Sequence, residues 1–149
     1  MSVSVLLLAF LSLDPQCQRP DLVVHEAQRA AIRHGVPVTV ILAAVMTETK
    51  CRNRVFRREW DGRCDIGLAQ VHASCADKRF YLDYRNNLTR AAEILSWSSM
   101  ACSTRLKRTW QCKQTEWARY NWHSKTWRGS FRRWLRRLED AIQEKEGEV

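Results

Sequence analysis

A carboxylate at the end of an apolar helix pattern is the residue in this chain best placed to do chemistry. In TVILAAVMTETK, residues 39–50, Ile41, Ala44, Val45 and Glu48 fall at i, i+3, i+4 and i+7 and share one helical face. Burial on that face disfavours the charged form and raises the pKa, the condition a general acid needs at neutral pH. The competing reading is that Glu48 only ends an exposed face beside Lys50. Further on, CDIGLAQVH (64–72) keeps Gly67, Leu68, Ala69 and Gln70 together in a chain with five glycines. A glycine between apolar neighbours marks a close approach to the backbone. Gln70 is a polar group inside a run that otherwise reads as core.

The elements that must position these residues read as helices. PDLVVHEAQRAAIRHG begins after Pro20 with Asp21 as N-cap and stops at His34-Gly35. Pro37 and Thr39 open the helix that ends in Glu48. YLDYRNNLTRAAEILSW predicts a helix starting near Asn86 or Asn87, with Leu88, Ala91, Ala92 and Leu95 buried. GSFRRWLRRLEDAI is amphipathic, with Phe131, Trp134, Leu135, Leu138 and Ile142 on one side and arginines on the other. That pattern suits a terminal helix docked on its own domain better than one lying on a membrane surface. Trp110 and Trp117, and Trp127 and Trp134, are each seven apart and read as core residues. The strand signal is weak, so the expected fold is mainly α.

At 149 residues the chain is expected to form one domain with a single core. Lys and Arg number 25 against 16 acids, giving +9, which predicts attraction to an anionic partner without saying which. Six cysteines, at 17, 51, 64, 75, 102 and 112, suggest an oxidised framework with fifteen possible connectivities. A Cys51–Cys64 bridge would close a loop of about a dozen residues and hold Glu48 near Gly67. Cys102 with Cys112 would close another, leaving Cys17 with Cys75 by elimination. A zinc site would need paired ligands, and only His72-x-x-Cys75 is present, so no metal is expected. No role is assigned to His25, His34 or His72. VSVLLLAFLSL has the length of a signal-peptide core, or forms an N-terminal helix packed on the domain. The organisation is therefore 1–16 as signal peptide or apolar segment and 17–149 as one domain, exported and not lipidated at Cys17.

Four motifs in order resemble the catalytic domain of lytic transglycosylases, relatives of goose-type lysozyme that cut peptidoglycan glycan strands. TETK stands where the family has Glu-Ser, and DIGLAQVH where it has Gly-Leu-Met-Gln-Ile. RNNLTRAAEIL stands for Asn-Ile-x-x-Gly and ARYNWH for Ala-Tyr-Asn-Ala-Gly. The resemblance spans about residues 20–138 and is nearest the small secretion- and conjugation-associated or phage-borne subgroup. It implies a lysozyme-like helical catalytic domain without a cofactor, acting on peptidoglycan in the periplasm, outside the cell or on a virion. It further implies association with a secretion, conjugation or pilus apparatus or a phage particle. Glu48 would be the catalytic acid and Tyr120 the tyrosine that hydrogen-bonds near it. Thr49, Gly67, Leu68, Gln70 and Asn121 would bind substrate, with Gly67 letting sugar approach the backbone. The sequence departs from the family at Thr49, Ala69, Ala91 and His123, positions that bear on substrate preference.

The resemblance implies a one-carboxylate reaction that ends in a 1,6-anhydro sugar, or a lysozyme if water is the nucleophile. Asp61 and Asp65, the nearest other carboxylates, read as loop and turn residues. Two other functions compete. Arginines alternating with aromatics in NRVFRREW and RGSFRRWLRR suit a basic nucleic-acid-binding protein, but no specific nucleic-acid motif is present. A non-catalytic protein of the same fold would bind glycan as a structural part of a secretion apparatus or virion.

Overall fold

The apolar periodicity of the chain resolves into a helical domain with a small sheet. The structure, a computed structural model, describes residues 1–53, 55–103 and 125–148. In order these are α1 (Val3–Leu13), α2 (Pro20–His34), α3 (Val38–Thr49), β1 (Phe56–Arg58), β2 (Cys64–Ile66) and β3 (Val71–Ala73). A 3-10 turn (Cys75–Asp77), α4 (Lys78–Tyr81), α5 (Tyr84–Ser103) and α6 (Lys125–Gly147) follow. The expected mainly α fold is observed.

Helix α3 is the centre. Every residue from Val40 to Met46 is buried, so the helix is enclosed all round. The single stripe expected from Ile41, Ala44 and Val45 is therefore too narrow a description. Around α3 pack α2, α5 and α6, and α1 packs on α2 and α6. In α5, Leu88, Ala91, Ala92 and Leu95 are fully buried as read from the sequence. In α6, Phe131, Leu138 and Ile142 face the core, so this helix is docked on its own domain. The apolar N-terminal run forms α1, and its Leu6, Ala9 and Phe10 have no exposed surface. Burial of Leu6 and Phe10 contributes about 1.5–3 kcal/mol each. No helix among the described residues is long and apolar enough to cross a membrane.

Two helix starts differ from expectation. Pro20 occupies the first turn of α2, where its missing N–H costs nothing, and Arg19 takes the cap position in the left-handed region. Asp21 lies inside that turn, and Arg19 together with the Leu22 N–H lowers its pKa. Helix α5 begins at Tyr84, because the Asp83 carboxylate accepts from the Asn86 N–H (3.0 Å). Asn87 is therefore within the helix. The ends of α2 and α3 use left-handed residues, Gly35 (φ 64°) and Lys50 (φ 49°).

The three short strands form an antiparallel sheet in the order β1-β2-β3, with Cys64 opposite Ala73 and Ile66 opposite Val71. Their buried side chains form a second small cluster of Cys64, Ile66, Val71 and Ala73. Cysteine pairing follows these two clusters and corrects the sequence-based pairing. Cys17 bonds Cys51 and Cys64 bonds Cys75, instead of Cys51 with Cys64 and Cys17 with Cys75. Cys17 and Cys51 both lie in the main helical core. The β2–β3 register carries the chain back past Cys64, so that Cys75 reaches it with a Cα separation of 5.0 Å. The Cys102–Cys112 pairing lies outside the described residues.

Candidate active site

Glu48 sits in the last turn of α3 and is partly buried, at the point where the enclosed helix meets the 67–70 turn. The indole N–H of Trp127, from α6, donates to Glu48 Oε1 at 2.8 Å. Trp127 is itself buried at 8% exposure and stacks on Phe131 with centroids 5.1 Å apart and planes within 7°. Thr49, the next residue, is buried and donates from Oγ1 to the Leu68 carbonyl at 2.8 Å. This hydrogen bond, across nineteen residues, joins the end of α3 to the glycine-containing turn. The Cys51–Cys64 bridge that the sequence suggests for that work does not form.

The turn itself is built from backbone. The Gly67 N–H donates to the Val55 carbonyl (2.8 Å), and the Gln70 N–H donates to the Gly67 carbonyl (3.1 Å). Gln70 adopts φ 48°, and its side-chain amide donates to the carbonyls of Gly67 (2.9 Å) and Val55 (3.3 Å). Gly67 has φ 75°, and a Cβ there would lie 2.5 Å from Asn87 Nδ2 and 2.7 Å from the Tyr81 carbonyl oxygen. The need for glycine thus arises inside the fold: the space a side chain would take is filled by Asn87.

Asn87 is the organiser of this region. It has no exposed surface. Its Oδ1 accepts from the Ala69 N–H (2.9 Å), and Nδ2 donates to the carbonyls of Ile66 (2.8 Å) and Tyr81 (2.8 Å). Three partners of fixed polarity set the orientation of the amide. Leu68 and Ala69 are fully buried, so their side chains brace the turn from within.

The other carboxylates near in sequence are engaged elsewhere. His72 on β3 stands between Asp65 (Nδ1 to Oδ1, 2.8 Å) and Asp61 (Nε2 to Oδ2, 2.8 Å). Hydrogen bonding to Asp65, then to Asp61, raises the His72 pKa against partial burial. The Arg63 N–H and then His72 lower that of Asp61. Asp65, expected in a turn, lies in β2 and also pairs with Arg57 at 3.6 Å. A cavity of about 440 Å³ lies between α2 and α5, lined by Glu26, Arg29, Arg33 and Arg85 among others, and includes none of the candidate residues. Its Glu26 is ion-paired with Arg29 (3.7 Å) and Arg85 (3.5 Å), a network that ties the two helices together.

The structure therefore brings together Glu48, Thr49, Gly67, Leu68 and Gln70. Thr49 and Leu68 serve as internal links there, and Tyr120 and Asn121 lie outside the described residues. Sequence reasoning passed over two participants. Asn87 reads from the sequence as a helix start and as the asparagine of the family motif but not as a site residue, though its place beside an apolar stripe is a signal for a buried polar link. Trp127 was read as core, and nothing in its spacing ties it to Glu48, 79 residues away. No protein-family model matches the chain, and no curated protein or solved structure matches it.

Proposed function

We propose that this chain is a peptidoglycan-cleaving glycosidase of the lytic transglycosylase type, built on a lysozyme-like helical domain, with Glu48 as its single catalytic carboxylate. One observation carries the reading: a partly buried glutamate at the end of the central helix is joined through Thr49 to a Gly-Leu-Ala-Gln turn that Asn87 holds rigid. Partly removed from water at the end of the enclosed helix and beside a rigid turn, that glutamate is the carboxyl placed to act as acid. Asp61 and Asp65 are both bound to His72, which favours a one-carboxylate scheme.

In that scheme Glu48 protonates the oxygen bridging N-acetylmuramic acid to N-acetylglucosamine. The C1–O bond breaks, leaving an oxocarbenium-like centre at C1. The resulting Glu48 carboxylate then takes the proton of the muramic C6 hydroxyl, and O6 bonds to C1, giving the 1,6-anhydro product. No cofactor enters. The substrate is the glycan strand, and the excess positive charge suits its anionic peptides and attached polymers. The disulfides suit an exported protein, periplasmic, extracellular or carried on a virion, that opens the wall locally for a secretion or conjugation apparatus or a phage particle.

Incubation of purified sacculi with the oxidised protein tests this. Soluble muropeptides are expected from the wild type and not from Glu48→Gln. Products one water heavier would make the same site a lysozyme. Binding to sacculi without release of muropeptides would overturn the enzymatic reading in favour of a glycan-binding structural protein.

A further inference from the structure

We propose that Trp127 is a positioning residue that holds the carboxyl group of Glu48 through Oε1; the catalytic consequence rests on the reading of Glu48 given above. An indole N–H is a donor and never an acceptor. Trp127 Nε1 lies 2.8 Å from Glu48 Oε1, so Oε1 accepts in both protonation states of the carboxyl group. Oε1 is thereby held at a fixed point by a donor from another helix.

The ring that supplies this N–H cannot easily turn away. Trp127 is buried at 8% exposure, and it stacks face to face on Phe131, which is buried at 1%. Both belong to α6, which packs on α3, the helix that carries Glu48. An aromatic pair in a filled core holds its geometry to a fraction of an ångström. Positioning to that tolerance is what proton transfer in a glycosidase requires. Donation to Oε1 also stabilises the carboxylate formed after proton transfer, the form that must serve as base in the second half of the reaction.

The test uses the oxidised full-length protein and two variants, Trp127→Phe and Glu48→Gln. Phenylalanine keeps an aromatic ring against Phe131 and removes the N–H donor. Nuclear magnetic resonance of the indole N–H groups reads the contact whether or not the protein cuts glycan. One indole resonance is expected to titrate with a carboxyl group in the wild type. That dependence should vanish in Glu48→Gln, and the resonance itself should be missing in Trp127→Phe. On sacculi, Trp127→Phe is expected to lower kcat about tenfold with KM little changed, and to move the alkaline limb of the pH profile, the limb set by the acid, to higher pH. A variant that unfolds more easily without losing positioning would leave that limb where it is. If no indole resonance follows a carboxyl titration, or if Trp127→Phe keeps the wild-type kcat and pH profile, the proposal is overturned. If neither form releases muropeptides while the indole titration is present, the glycosidase reading fails and the Trp127–Glu48 assignment stands.

Discussion

Asn87 shows how much a single buried amide can decide. Its three hydrogen bonds tie the Gly67–Gln70 turn to the entry of α5 and to the Tyr81 carbonyl. Replacing it with alanine removes the acceptor for the Ala69 N–H and the donor to the Ile66 and Tyr81 carbonyls. Asn87→Ala is expected to destabilise the fold by about 3 kcal/mol, measured by denaturant unfolding at constant slope. A loss below about 0.5 kcal/mol, the usual range for surface changes, would show that the amide is not the organiser described. At this scale the partly buried position of Glu48 in α3 was legible, because a carboxylate at helical spacing from three apolar residues breaks a local pattern. Gly67 was legible as a special position but not for the right cause. Its neighbour is Asn87, twenty residues on, and no local rule identifies that partner. Trp127 was illegible as a site residue for the same reason. Its place beside Glu48 is set by the docking of α6 on α3, which depends on the whole core.

At the scale of elements, helices α2, α3, α5 and α6 were readable because apolar residues repeat over several turns. The strands were not: each has three residues, too few to display alternation. The cysteine pairing was misread because proximity in sequence stood in for proximity in the fold. Cys51 is held in the helical core, and Cys64 starts β2 and lies in the small cluster under the sheet. Mass mapping of a non-reduced digest is expected to give Cys17–Cys51 and Cys64–Cys75 peptides, and a Cys51–Cys64 peptide would contradict the fold. The Cys17–Cys51 bridge spans 34 residues, and by the chain-entropy estimate its removal costs about 3–4 kcal/mol.

The His72 clamp gives the sheet a pH dependence with a definite sign. His72 has a raised pKa in the fold, so its contribution is complete below the unfolded value of about 6.5 and fades as pH rises through the folded value. Asp61 has a lowered one, so its contribution is complete above about 3.9 and fades as pH falls through the folded value. Between those limits the imidazolium is held by Asp61 and Asp65, with Arg57 and Arg63 at their sides. Hydrogen-exchange protection of the β2 and β3 amides should be greatest in that window and decline modestly toward pH 8, as suits partly exposed pairs. In His72→Ala the decline toward pH 8 should disappear; an unchanged profile would contradict the clamp.

Over the whole molecule, charge and cysteine content suit an exported protein with an anionic partner, while the fold concentrates its burial around α3. The N-terminal helix belongs to that core, with Leu6 and Phe10 enclosed by the other helices. Composition could suggest the apolar run, but its packing depends on α2 and α6. The central claim is that the meeting of α3, the 67–70 turn and α6 makes Glu48 an acid toward glycan. Mass identification of what oxidised protein releases from purified sacculi, beside a folded Glu48→Gln control, tests it most directly. Muropeptides with 1,6-anhydro ends from the wild type alone are the expected result. The same products from Glu48→Gln, or none from a folded wild type, would contradict it.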